Sequence, residues 1–166
     1  MTLREKLLFP LELKRLERIA NKLTKQVGVT AKVGNYFQAL PNKNKIFFAL
    51  LENELDAYLF YDDILRNFPE IVDYDIKPFV FSFLHEIGHC VIKTVETADD
   101  LELRYSLKDI KDRTVANKLY FQLPDEKSAT AWGVAYAMIY YDDICKWQRQ
   151  MLNAYKKFFK KFQINA

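Results

Sequence analysis

The stretch FSFLHEIGHC, residues 81–90, is the most informative part of this 166-residue chain. It belongs to the longer run PFVFSFLHEIGHCVIK, which starts at Pro78, a residue suited to the first position of a helix. Apolar residues lie on every side of that helix, which is typical of a buried helix. His85 and His89, the two histidines of the chain, are four residues apart and therefore lie on one helical face. The stretch predicts a buried helix that directs two imidazoles at a common point.

Residues 85–89 read H-E-x-x-H, a pattern in which two imidazoles bind zinc beside a carboxylate. Glu86 is rotated by roughly 100° from His85 about the helix axis, so it borders the metal. Neutral imidazoles suit zinc, whereas the carboxylate suits proton transfer. Burying these groups without partners would cost roughly several kcal/mol, which a bound cation offsets. We therefore predict one zinc ion per chain, with His85 and His89 as ligands and Glu86 as catalytic base. The alternative is an accidental match with two core histidines.

The third ligand is expected to be a carboxylate, because a catalytic zinc takes three protein ligands plus water and no histidine remains. Cys90 lies on the wrong side of its turn, and Cys145 is expected to be a small core residue. Glu126 heads a helical face on which small residues predominate, so another helix can approach closely. We predict Glu126 as the ligand and Asp125 as a helix cap or supporting partner. The other downstream acids are expected to be solvated: Glu96, Asp99, Asp100, Glu102, Asp109 and Asp112.

HEIGH followed by EKSATAWG, residues 126–133, resembles the zincin metallopeptidases whose third ligand is a glutamate on a second helix. The resemblance is greatest to the small ImmA/IrrE-type enzymes of bacteria and mobile elements, and it covers roughly residues 79–138. It implies a zincin-like fold and hydrolysis of peptide bonds in a protein substrate. A tyrosine, from among Tyr105, Tyr120 and Tyr136, is a candidate to stabilise the oxyanion. Tyr136 is also a candidate supporting residue at the site.

The remaining patterns predict an α+β fold. Helical spacing over Leu11–Val27, with Pro10 ahead and Gly28 behind, predicts a first helix. Residues 29–40 and 45–53 flank the turn PNKN and predict a hairpin.

The stretch DAYLFYDD, residues 56–63, is either a third extended segment or part of a helix. Ser106 and Asp109 can cap a helix in the mixed segment 94–123. A last helix is expected to start at Pro124 and to extend to about Phe162. We expect a single domain, residues 1–166, with a small, mostly antiparallel sheet, the H-E-x-x-H helix and a long C-terminal helix.

The amino-acid composition and net charge argue against several classes of protein for this chain, among them disordered, disulfide-rich and nucleic-acid-binding proteins. Half the residues are hydrophobic and 28% are charged, which is globular and not disordered. The net charge of +3 does not favour nucleic acid as a partner. Two cysteines are too few for a disulfide scaffold, so a cytoplasmic protein is expected. Charges interrupt the apolar residues of the first 22 positions, so we expect neither a signal peptide nor a membrane span there.

Two alternative functions stay open. The first is a catalytically silent zincin-fold regulatory or protein-binding module, in which a structural zinc would have four protein ligands. The second is nucleic-acid association through YKKFFKKF, residues 155–162, although a solvated lysine face over packed aromatics is favoured there. The substrate, its cleavage site and the oligomeric state do not follow from the residues.

Overall fold

The computed structural model describes residues 3–50, 54–93 and 97–162, and the side chains of residues 8–50, 57–93 and 97–162. Three strands and seven α-helices occur in these ranges. In chain order they are α1 Leu3–Thr24, β1 Thr30–Gly34, β2 Gln38–Leu40, β3 Lys45–Ala49, α2 Glu54–Asn67, α3 Pro78–Ile92, α4 Ala98–Leu107, α5 Arg113–Tyr120, α6 Pro124–Ile139 and α7 Tyr141–Phe162. The α+β class is confirmed.

Helix α3 forms the centre of the molecule. Pro78 occupies its first turn, and Lys93 ends it in the left-handed conformation with φ of 50°. Its buried residues lie on all sides of the helix: Val80, Phe81, Ser82, Phe83, Leu84, His85, Ile87, Gly88 and Cys90. The prediction of a buried H-E-x-x-H helix is confirmed, because only a helix covered by neighbours on every side can bury so many apolar groups.

Helices α3 and α6 pack at unusually short range. A Cβ added at Gly88 would lie 2.5 Å from the carbonyl oxygen of Ala129, and one added at Gly133 would lie 3.2 Å from Leu84 Cβ. Small residues on both helices therefore allow the two backbones to approach, as the composition of the 126–140 face predicted. This approach brings the start of α6 to the histidines of α3.

The sheet is mixed, with strand order β1-β3-β2. The predicted hairpin forms only in part. Strand β2, the end of the predicted run 29–40, pairs antiparallel with β3 around a 3-10 turn at Pro41–Lys43, whereas residues 30–34 of that run form the separate strand β1. Strand β1 pairs in parallel with β3 over five residues, from Thr30–Lys45 to Gly34–Ala49. The expectation of a mostly antiparallel sheet is wrong, because the chain reverses twice and β3 inserts between β1 and β2. Residues 51–53 of the predicted second strand lie outside the described ranges.

The first and last helices differ from their predicted bounds. Helix α1 begins at Leu3 and continues through Pro10. The ring of Phe9 packs on Phe158 and Phe162 of α7, and this contact holds the turn ahead of the proline in place. The predicted last helix is two helices, broken at Tyr140, because α6 follows α3 whereas α7 turns to pack along α1.

The described part of the middle of the chain contains helices and no strand. Residues 56–63 lie in α2, because Phe60 and Ile64, four residues apart, are both buried in the core. Ser106 and Asp109 do not cap a helix. Thr97 caps the N-terminus of α4: its side chain accepts a hydrogen bond from the backbone N–H of Asp100, and the Asp100 side chain accepts one from the backbone N–H of Thr97. Asp112 caps the N-terminus of α5, where its side chain accepts hydrogen bonds from the backbone N–H groups of Thr114 and Val115.

The end of α7 has the predicted solvated lysine face. Phe158 and Phe162 are buried, whereas Lys156, Lys157 and Lys160 are exposed. Lys161 donates to Glu12 of α1 at 2.6 Å. Within the described ranges, no helix has the length and apolar character needed to cross a membrane.

Candidate metal centre

Three side chains of the kinds that can bind a metal, His85, His89 and Glu126, converge where α3 meets α6. His85 Nε2 lies 2.9 Å from Glu126 Oε2, His89 Nε2 lies 3.2 Å from the same oxygen, and the two nitrogens are 3.1 Å apart. A tetrahedron with metal-ligand bonds of about 2.0–2.1 Å has edges of about 3.3 Å, so these atoms have nearly the spacing that zinc requires. His85 and Glu126 are buried, at 7% and 1% exposure. The group could hold a metal ion.

The ring of His85 is held from two sides. Its Nδ1 lies 3.0 Å from Thr130 Oγ1, and Phe60 contacts it edge-on with ring centroids 5.1 Å apart. When Nδ1 donates to the hydroxyl, Nε2 carries the lone pair that a metal needs. Thr130 lies one helical turn after Glu126, so α6 supplies both a candidate ligand and the partner of another.

The two oxygens of Glu126 have different surroundings. Oε2 faces the imidazoles, whereas Oε1 accepts a hydrogen bond from Arg104 Nη2 at 2.8 Å. The same nitrogen of Arg104 donates to the Asp125 carboxylate. Arg104 comes from α4, so three helices meet at the centre.

Glu86 lies beside the cluster and not in it. Part of the residue is exposed, but its carboxyl group is almost wholly enclosed, and this burial raises the pKa of Glu86. The neighbouring histidines and a hydrogen bond with the backbone of Ala39 act against that rise. The carboxyl group therefore stands between strand β2 and the two imidazoles.

The electrostatics of the cluster favour an ionised Glu126. Burial acts to raise the pKa of its carboxyl group, but hydrogen bonds to His85 and His89 outweigh burial and hold the pKa well below its usual range. Burial likewise acts to lower the pKa of His89, and contact with Glu126 reverses the direction. A carboxylate stabilised by positive charge at this point is the form that binds a metal.

An open cleft of about 320 Å³ leads to the cluster. One wall is formed by Phe37, Gln38, Ala39 and Pro41, and the other includes Glu86, His89, Arg104, Tyr120, Asp125 and Glu126. A chain lying in the cleft would therefore contact the edge strand β2 on one side and the candidate metal ligands on the other.

Asp125 and Tyr136, the two supporting residues predicted from the sequence, differ in their contacts. Asp125 does not cap α6, because Leu123 holds the cap position without a side-chain hydrogen bond; the carboxylate instead binds Arg104. Tyr136 donates to Gln26 Oε1 at 2.9 Å and stacks on Trp132.

Among the candidate tyrosines, Tyr120 is the one that lines the cleft, and its hydroxyl is within hydrogen-bonding reach of Glu126 and Arg104. Burial, followed by the charge of Glu126, raises the pKa of Tyr120, so its hydroxyl stays a donor. Tyr105 is 65% exposed.

Cys90 is buried and donates to the carbonyl of Lys45, whereas Cys145 is half-buried. The acids expected to be solvated are partly or fully exposed where described, namely Asp99, Asp100, Glu102, Asp109 and Asp112; Glu96 lies outside the described ranges.

Thr130 and Arg104 were not assigned to the site from sequence. The position of Thr130, four residues after Glu126 on one helical face, is a signal that could have identified it. Arg104 has no such signal, because its approach depends on where the packing of α4 on α5 places its side chain relative to α6.

Comparisons of the chain with protein-family models, with curated proteins and with solved structures find no match. The candidate metal centre is therefore supported by the motif and by the geometry of the side chains.

Proposed function

We propose that the chain is a zinc-dependent metallopeptidase that hydrolyses peptide bonds of a protein substrate. Its metal ligands are His85, His89 and Glu126, and its general base is Glu86. The observation that carries the proposal is the buried three-ligand cluster, which lies at an open cleft beside the enclosed carboxyl group of Glu86.

The donor set fits zinc. Two imidazoles and one carboxylate are a combination that catalytic zinc sites use, and such sites keep one coordination position for water or substrate. Among the described residues the cluster has these three ligand groups, whereas a structural zinc takes four. The charges at the cleft fit as well, because Glu86, Asp125 and Glu126, when all ionised, outnumber Arg104 by two negative charges.

Zinc bound here supplies Lewis-acid chemistry, polarising a carbonyl group and making water more acidic. Glu86 takes the proton of the attacking water and gives it to the leaving amine. The position of Glu86 suits this role, because its enclosed carboxyl group lies beside the imidazoles that would hold the metal, within reach of a water bound there. Tyr120, which remains protonated, donates a hydrogen bond to the oxyanion that develops on the substrate.

The substrate binds as an extended chain beside β2. In the described part of the sheet this strand has β3 on one side and no strand on the other. An added chain can use its free backbone groups for main-chain hydrogen bonds, a common mode of peptide recognition. Ala39 of the same strand contacts Glu86, so the added chain would run past the base.

Metal binding is tested first. Purified protein is expected to contain about one zinc per chain, and His89→Ala and Glu126→Ala to lose most of it. Zinc should also stabilise the wild type by about 4 kcal/mol at a thousandfold excess over Kd, measured by urea unfolding. Equal zinc content and equal stabilisation in all three proteins would refute the site.

Catalysis is tested with Glu86→Gln, because the amide keeps the shape of the side chain but cannot carry the proton. The variant should retain zinc and lose hydrolysis of fluorescently labelled, unfolded casein. Unchanged turnover would show that Glu86 is not the base. Normal zinc binding without hydrolysis by the wild type would instead favour the protein-binding module.

A further inference from the structure

The two oxygens of the Glu126 carboxylate contact different groups. Oε2 lies 2.9 and 3.2 Å from the two imidazole nitrogens, and Oε1 lies 2.8 Å from Arg104 Nη2. A hydrogen bond to a charged donor is stronger and more directional than a neutral one. The side chain is therefore held in a single rotation, with one oxygen turned toward the metal position and the other turned away.

Arg104 is itself well fixed. Its guanidinium donates to the Asp125 carboxylate and lies 5.1 Å from the ring centroid of Tyr120. These partners come from α6 and from the end of α5, so they anchor a residue of α4 at the rim of the cleft. Asp125 thus contributes to the centre through Arg104, not through a helix cap.

We propose that Arg104 is a positioning residue that makes Glu126 a one-oxygen ligand of the metal. The inference rests on the proposed zinc site. With Oε1 engaged by the guanidinium, Glu126 offers zinc Oε2 alone, and the position that Oε1 would otherwise take is left for water or substrate. Without Arg104, both oxygens can turn to the metal.

Arg104 also affects metal binding through its charge, and the two effects oppose each other. A nearby cation repels zinc, so loss of the charge by itself strengthens binding. Loss of positioning weakens binding, because residues that orient metal ligands typically contribute about 10- to 100-fold in affinity. The direction of the change therefore separates a residue that positions Glu126 from one that acts only as a charge.

The test compares three variants with the wild type. Arg104→Met removes the hydrogen bonds and the charge, and Arg104→Lys keeps the charge without the planar fork. Lys108→Met, at the exposed end of α4, is the matched control for loss of one positive charge. Zinc affinity is measured by competition with a chromophoric chelator. Coordination is followed by the visible absorption of the cobalt(II) forms, which is strong for four-coordinate cobalt and weaker when coordination rises.

Arg104→Met is expected to bind zinc about 10- to 100-fold more weakly than wild type and to show weaker cobalt absorption. Arg104→Lys should recover part of both, and Lys108→Met should match wild type. Tighter zinc binding by Arg104→Met with an unchanged cobalt spectrum would overturn the inference, as would equal losses in Lys108→Met. If Arg104→Met fails to fold by circular dichroism, a wild-type cobalt spectrum and affinity in Arg104→Lys overturn it. Absence of zinc from the wild type refutes the metal site itself.

Discussion

Replacing Gly88 with alanine tests how closely α3 and α6 must pack for the metal centre to form. The new Cβ would lie 2.5 Å from the carbonyl oxygen of Ala129 and 2.9 Å from its Cα. Both atoms belong to the backbone of α6, so no side-chain rotation relieves the contact. The helices must separate by about 0.9 Å to bring the first distance to 3.4 Å, where ordinary van der Waals contact begins.

The magnitude for Gly88→Ala follows from two opposing effects. Overpacking costs about 1–3 kcal/mol, and replacing glycine inside a helix regains up to about 1 kcal/mol. We expect a net loss of about 1–2 kcal/mol, or about 2–8 °C in Tm for a chain of this size. Metal-ligand distances tolerate only about 0.2 Å, so the same separation of His85 from Glu126 should weaken zinc binding at least about tenfold.

The assay is urea unfolding of Gly88→Ala with EDTA and with zinc, which separates packing from metal binding. Gly133→Ala is the matched control on the facing helix. A milder effect is expected there, because the new Cβ would lie 3.2 Å from Leu84 Cβ and 3.3 Å from the backbone nitrogen of His85, which are longer distances than at Gly88. Wild-type stability and zinc affinity in Gly88→Ala would refute the argument that close backbone approach builds the site.

Three other predictions concern separate parts of the chain. Thr130→Val removes the hydrogen-bond partner of His85 Nδ1 while keeping the shape of the side chain, so zinc affinity should fall by about 10- to 100-fold in the chelator assay. Burial raises the pKa of Cys90 to about 11, so at pH 8 its thiol should react with iodoacetamide only after urea unfolding; rapid modification of the native protein, located by mass spectrometry, would contradict this. Phe158→Ala should cost about 3–5 kcal/mol of unfolding free energy because its ring is buried between α1 and α7, whereas the exposed Lys160→Ala should change it by less than about 0.5 kcal/mol.

Much of the fold follows from local patterns. Helix α3 was predictable because Pro78 suits a helix start and the apolar residues that follow it are continuous. The β2–β3 hairpin was predictable because a Pro/Asn turn separates two β-forming runs. The errors have a different origin. Residues 56–63 suit a strand as well as a helix, and their helical form depends on burying Phe60 and Ile64 against the core.

The sequence by itself determined which side chains are available to bind a metal at the candidate centre. Two histidines four residues apart in an apolar helix must share a face, because the helical repeat is 3.6 residues. Elimination of other ligands, a face of small residues and the resemblance to zincin metallopeptidases together pointed to Glu126 before its position was known. These properties depend on spacing and residue type, so they do not change with the way the helices are arranged.

Only the tertiary structure decided how those groups are oriented. The pairing of β1 with β3, the break at Tyr140 and the approach of Arg104 to Glu126 join segments far apart in the chain. No spacing rule governs such contacts, because they depend on the summed packing of whole helices and not on the repeat of any one of them. Glu126 contacts the imidazoles through one oxygen and a guanidinium through the other, and this arrangement exists only once the packing of α4 on α5 has brought Arg104 to the start of α6.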